Sequence, residues 1–197
     1  MFDARQIGAA VRRAHCAMTD PVAAWHTEHA YFRRLLDLLQ RQTDRFHTGE
    51  PNYQLVVDIV SYLRDFADHV HHPREEVAFA CLANRFPEMK LDLARLSQEH
   101  RVVARAGETL RELLVAVLGG AVVPRAEIEV AVATYLVYYG NHIAKEEEDV
   151  LTLAATALSA EDWEAVRAAV PARDDPLFGS EPEERYRELR RQIALEA

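Results

Sequence analysis

The chain is poor in cysteine. Two residues, Cys16 and Cys81, among 197 make no disulfide framework and lack the close spacing of a thiolate zinc site. Long apolar runs are missing as well. No stretch of about 18 consecutive apolar residues occurs, so no membrane-spanning helix is expected. The opening twenty residues, MFDARQIGAAVRRAHCAMTD, contain neither an uninterrupted apolar core nor a small-residue cleavage site. No secretory signal is therefore expected, and the predicted compartment is the cytoplasm. Positive charge is in the minority: 23 Lys+Arg stand against 32 Asp+Glu, the net charge is −9, and no basic stretch is long enough to follow a phosphate backbone. Nucleic acid and membrane are thus excluded as expected partners. The sequence also lacks a Gly-rich phosphate loop, a Ser/His/Asp order and any organic-cofactor signature.

Glycine (7) and proline (8) are scarce, while hydrophobic residues reach 49%, enough for a sizeable core. Ala, Leu, Val, Arg and Glu dominate, a composition that favours helices. Asp20 followed by Pro21 reads as a helix start. Behind it, Val22, Trp25, His29, Phe32, Leu35, Leu36 and Leu39 fall on one face. A second helix is expected at about 52–84 with Leu55, Val56, Ile59, Val60, Leu63, Phe66 and Val70 inward, and a third at about 88–118 with Leu93, Leu96, His100, Val103, Leu110 and Leu114. A fourth, at about 124–157, carries Ile128, Val132, Tyr135, Leu136, His142 and Leu151. Long helices with short joints predict an all-α protein, an antiparallel up-down four-helix bundle over 21–157. An N-terminal extension (1–20) and a C-terminal helical appendage (158–197) add short helices at the termini. In the appendage, Ser159 to Asp162 reads as a capping signal, and Tyr186, Leu189, Ile193 and Leu195 form an apolar face for the bundle or for a second copy in a homodimer.

The histidines carry the chemistry. Two helices contain Glu-His (Glu28-His29 and Glu99-His100), and the other two contain HxxxEE (His71 to Glu76 and His142 to Glu147). His29 and His71 lie 42 residues apart, as do His100 and His142, so one offset of 71 maps each half onto the other. The same register pairs Glu75 with Glu146, Arg74 with Lys145 and Leu39 with Leu110. A helical hairpin with one half-site is duplicated. One inward histidine per helix at matching depth, each HxxxE pair on one helix face, gathers four imidazoles and two carboxylates at one core point. Six donors exceed one tetrahedral zinc and suit two iron or manganese ions bridged by carboxylates. The repeat also sorts the stretch HVHHPREE. The partner of His72 is Ile143 and that of His69 is Gly140, so His72/Glu76 reads as a surface ion pair, with His72 held in reserve as a ligand. Pro73 is expected to distort the second helix and Gly140 to loosen the fourth.

The order EH, HxxxEE, EH, HxxxEE over about residues 21–157 resembles the hemerythrin-like, HHE cation-binding domain family. The resemblance implies a non-haem di-iron site ligated by His29, His71, Glu75, His100, His142 and Glu146. It implies Glu75 and Glu146 as bridging carboxylates and an oxo or hydroxo bridge between the irons, with manganese or zinc as substitutes. The expected partner is a small diatomic molecule or peroxide: O2, NO or H2O2 bound or sensed. An oxidative, peroxidase- or catalase-like activity and an interaction or stress-response module with a structural metal are the alternatives. One feature departs from the oxygen carriers of the family, which place a second histidine four residues after the first on the third helix. Here that position is Ala104. His72, a water or a tyrosine (Tyr31, Tyr62 or Tyr135) is left to fill it.

Overall fold

The computed structural model describes residues 20–48, 51–170 and 173–195. The helix expected in the N-terminal extension lies outside them. Helix α1 (Pro21–Thr48) opens where Asp20 Oδ1 accepts the Val22 N–H at 3.0 Å. Helix α2 (Tyr53–Tyr62) is capped by Asn52, whose side chain accepts from the Leu55 N–H. It runs without a break into a π-helical stretch, Leu63–His71, and on into α3 (His72–Arg85). After a 3₁₀ turn at Pro87–Met89 comes α4 (Lys90–Leu118), then α5 (Arg125–Lys145), a second π-helical stretch at Glu146–Val150, and α6 (Leu151–Ala157). Helix α7 (Ala160–Ala169) starts in the expected capping box, Ser159 with Asp162. A 3₁₀ turn at Glu184–Tyr186 leads into α8 (Arg187–Leu195). No strand occurs among the described residues, and the protein is all-helical.

Two of the four long helices expected from the sequence are therefore interrupted. Pro73 has no N–H to donate, and its ring crowds the carbonyl four residues back. The chain relieves this by widening: the His72 N–H reaches the Ala67 carbonyl, five residues back. The expectation for Gly140 is corrected. Helix α5 passes through it regularly to Lys145, and the widening comes later, where the Leu151 N–H reaches the Glu146 carbonyl. Both π stretches abut proposed ligands, His71 at the end of one and Glu146 at the start of the other.

The apolar interior falls into two clusters with a polar layer between them. Along α1, Trp25 belongs to one cluster and Phe32 to the other, with His29 in between; along α4 the order is Leu96, His100, Val103. The residues predicted inward are buried throughout, except Leu136, which is half-buried while Tyr139 takes the core position beside it. Tyr186, Leu189 and Ile193 pack into this chain's own core, Tyr31 stacks on Phe178 at 4.0 Å, and Arg34 donates to the Ile193 carbonyl at 2.9 Å. Of the face read as a dimer surface, Leu195 is left exposed.

Close packing also sets a constraint on α4. A Cβ at Gly107 would stand 2.9 Å from Cε2 of the buried Tyr135. Gly107→Ala gains about 1 kcal/mol of helix propensity but over-packs the core at a cost of about 1–3 kcal/mol. We expect a net loss of stability, read as a lower midpoint in urea.

Candidate metal centre

Helix α1 supplies His29, the widened turn before Pro73 supplies His71, α3 supplies Glu75, α4 His100, α5 His142 and the second π stretch Glu146. All six are buried, with exposures of 0–5%. Their inner atoms converge. His29 Nε2 lies 2.9 Å from His71 Nε2, and Glu75 Oε1 lies 3.1 Å from His71 Nε2 and 3.5 Å from His29 Nε2. On the other side, Glu146 Oε1 is 3.1 Å from His142 Nε2 and 3.2 Å from His100 Nε2. The two carboxylates reach across: Glu75 Oε2 is 3.5 Å from His100 Nε2, and Glu146 Oε2 is 3.5 Å from His29 Nε2. Each glutamate thus touches both imidazole pairs with different oxygens, as a bridging carboxylate must.

The donor set fits cations. Two nitrogens at right angles on one ion, each about 2.1 Å from it, are about 3.0 Å apart, against 2.9 Å for His29 and His71. Both oxygens of Glu75 and Oε2 of Glu146 are buried without a hydrogen-bond partner, as is Nε2 of His142. Buried carboxylate oxygens left unpaired are costly unless a cation meets them. Two groups of potential ligands overlap at Glu75: His29, His71 and Glu75 form one, and His72, Glu75, His100 and His142 form the other.

Each outer nitrogen has a carboxylate near it, within hydrogen-bonding reach for His71 and His100 and as a looser contact for His29 and His142. His71 Nδ1 meets Glu28 at 2.5 Å, and His142 Nδ1 meets Glu99 at 3.5 Å. His29 Nδ1 meets Glu147 at 3.3 Å, and His100 Nδ1 meets Glu76 at 3.1 Å. The offset of 71 holds for these pairs as well, since Glu28/His71 maps on Glu99/His142 and Glu76/His100 on Glu147/His29. The basic residues follow: Arg74 donates to Glu28 at 2.7 Å, and its counterpart Lys145 pairs with Glu99. A carboxylate on the outer nitrogen fixes the tautomer and aims the inner one at a metal. Glu28→Gln is accordingly expected to weaken metal binding about 10- to 100-fold while leaving the number of ions unchanged, as measured by chelator competition.

Burial penalises the charge on Glu75, yet the adjacent His71 charge and the close approach of His100 and His29 hold its carboxyl well below the ordinary range. Burial and the nearby Glu75 both oppose ionisation of Glu146, and His142 and His100 outweigh them. The imidazoles respond in kind. Burial lowers His71, but Glu75 and Glu28 raise it to about 9; burial lowers His100, but hydrogen bonds to Glu146 and Glu76 and the nearby Glu75 raise it to about 11.

His72 corrects the reading of a surface pair. It is 4% exposed, and Glu76 turns to His100 instead. Its ring stacks on that of His100 with centroids 4.2 Å apart, and its Nδ1 lies 3.2 Å from Asp68 Oδ1. Burial, then the charges of neighbouring histidines, push its pKa well below the usual value. His69 and His47 are exposed, and His15 lies outside the described residues. The tyrosines weighed for the gap at Ala104 are engaged elsewhere in two cases: Tyr31 on Phe178, and Tyr62 donating to Asp175 at 2.8 Å.

Buried imidazoles and carboxylates set between two apolar cores define a cation-binding helical protein. Residues 20–154 match the family model of the hemerythrin HHE cation binding domain, well over half of the chain, and the chain belongs to that family. Neither a curated protein nor a solved structure matches it.

Proposed function

We propose that this protein is a non-haem di-iron protein, built on an antiparallel up-down four-helix bundle, that binds or senses a small ligand such as O2, NO or peroxide. The reading rests on one observation: two buried carboxylates each touch both histidine pairs, and three of their four oxygens have no hydrogen-bond partner. His29 and His71 would hold one ion, His100 and His142 the other, and Glu75 and Glu146 would bridge them. Bound there, two irons supply a redox pair able to exchange two electrons with a small oxidant. The chain's own part is to orient the imidazoles through Glu147, Glu28, Glu76 and Glu99, and to exclude bulk water with Trp25, Phe32 and Phe79 around the polar layer. A cytoplasmic setting is part of this reading, since two cysteines make no disulfide framework.

Anaerobic iron loading tests it. Two irons per chain and an absorption band in the near ultraviolet after exposure to air are expected. Well under two irons per chain removes the proposal. A second reading, an oxidative di-iron enzyme, is favoured by a cleft of about 350 Å³ that opens beside Ala104 onto His72 and His100. It predicts hydrogen peroxide turnover that falls at least about tenfold in His100→Ala; equal rates in both proteins leave the binding role alone.

A further inference from the structure

We propose that His72 is a fifth imidazole of the metal centre, ligating the ion shared with His100 and His142 in the place that Ala104 leaves without a donor. The inference rests on the di-iron reading above and assigns a role to a residue outside the repeated ligand set.

Geometry carries it first. Two imidazoles bound at right angles on one ion, each nitrogen about 2.1 Å from it, have ring centroids about 4–5 Å apart. The centroids of His72 and His100 are 4.2 Å apart, those of His100 and His142 4.6 Å, and those of His72 and His142 5.5 Å. The pair on the other side, His29 and His71, stands at 4.8 Å. One ligand atom from each of His72, Glu75, His100 and His142 falls within 4.8 Å of the others. His72 therefore stands as near to His100 as the repeat histidines stand to one another, though it is 5.5 Å from His142. Its plane lies 12° from that of His100, so its ring turns about its side-chain bonds for both nitrogens to face one ion.

The outer nitrogen of His72 repeats the pattern of the other four. Its Nδ1 lies 3.2 Å from a carboxylate oxygen of Asp68, as those of His29, His71, His100 and His142 lie against Glu147, Glu28, Glu76 and Glu99. Asp68 is thus a positioning residue for His72. Packing alone does not call for a histidine here. The equivalent place 71 residues later is Ile143, buried at 1% exposure, and the equivalent of Asp68 is Tyr139, buried at 0%. An aliphatic side chain fills the symmetric position, so a buried imidazole with a carboxylate behind it is a polar burden that a bound cation offsets. Access agrees: His72, His100 and Ala104 border one cleft. The two half-sites consequently differ, with three imidazoles at one ion and two at the other.

The full-length chain, stripped of metal and titrated anaerobically with Fe(II) against a chelator, gives the test. Wild type is expected to take two ions. His72→Ala is expected to keep one of them and to weaken the second by at least about 100-fold, more than the roughly 10-fold expected for Asp68→Asn. The double variant His72→Ala/Ala104→His is expected to recover the second ion. Binding of the second ion to His72→Ala within threefold of wild type overturns the proposal, as does a folded double variant that stays at one ion. Should His72→Ala not fold, cobalt-loaded wild type decides by NMR. Five strongly shifted, exchangeable ring N–H signals are expected, and four overturn the assignment. A wild type that takes fewer than two ions refutes the di-iron reading itself, whereas two ions in both proteins refute the role of His72 alone.

Discussion

Glu75→Ala is expected to weaken both ions together, by roughly 100- to 1000-fold or more, while the chain stays folded. Glu75 is fully buried and faces both halves of the centre, Oε1 toward His29 and His71 and Oε2 toward His100. On the di-iron reading, its loss would remove a donor from each ion and the negative charge that would offset two cations in an apolar interior. Breaking a buried charge pair costs about 3–5 kcal/mol, and a factor of ten corresponds to about 1.4 kcal/mol. The comparison that isolates this effect is Glu147→Ala. Glu147, itself held by Arg33, touches His29 alone among the six proposed ligands, and at its outer nitrogen, so a loss of about 10- to 100-fold at one ion is expected there. Metal counting under chelator competition, with circular dichroism as a check on folding, separates the two. A Glu75→Ala chain that still holds two ions tightly would show that the carboxylate is not shared between them.

Much of this arrangement was legible in the sequence because two independent periodicities coincide. The apolar positions repeat every three to four residues, and the offset of 71 fixes which polar residues share their depth. Together they placed His29, His71, Glu75, His100, His142 and Glu146 in one buried layer without coordinates. The outer carboxylates obey the same offset, and Glu28/His71 against Glu99/His142 was available as a signal. It was missed because the contacts cross between helices: Glu28 lies beside His29 in the chain but serves His71. His72 was misread for a related reason. Spacing along an ideal helix pairs it with Glu76, whereas the widened turn before Pro73 rotates it inward toward His100 and leaves Asp68, four residues earlier, as its partner. Regular helical geometry cannot register an extra residue in a turn, so both π stretches, and the side chains they redirect, had to come from the structure.

The same buried layer makes the metal-free protein sensitive to pH in a direction opposite to ordinary acid denaturation. Burial disfavours a charge on His71 and His100, but Glu75 and Glu28 for the first, and Glu146, Glu75 and Glu76 for the second, raise them to about 9 and about 11. Both values lie above the roughly 6.5 of an unfolded histidine. Protons on these rings therefore favour the fold. The stability they contribute is complete below pH 6.5 and is lost as pH rises through 9 and then 11. Burial lifts Asp68 to about 7 and lowers His72 well below 6.5, so neither opposes the trend between pH 7 and 9. In that window each of the two raised rings takes away about 1.4 kcal/mol per pH unit. At roughly 2–4 °C per kcal/mol, the Tm of the metal-free chain is expected to fall by at least about 5 °C per pH unit. Metal reverses the sign of the requirement, because ligation needs the rings deprotonated. Loading at pH 7 is accordingly expected to release about two protons, one each from His71 and His100, and the loaded chain is expected to hold its Tm over the same window. Thermal melts of the stripped and zinc-loaded protein from pH 7 to 9, with proton release read in buffers of different ionisation enthalpy, check both statements. A metal-free Tm that stays level or climbs across that range would mean that His71 and His100 are neutral before the metal arrives.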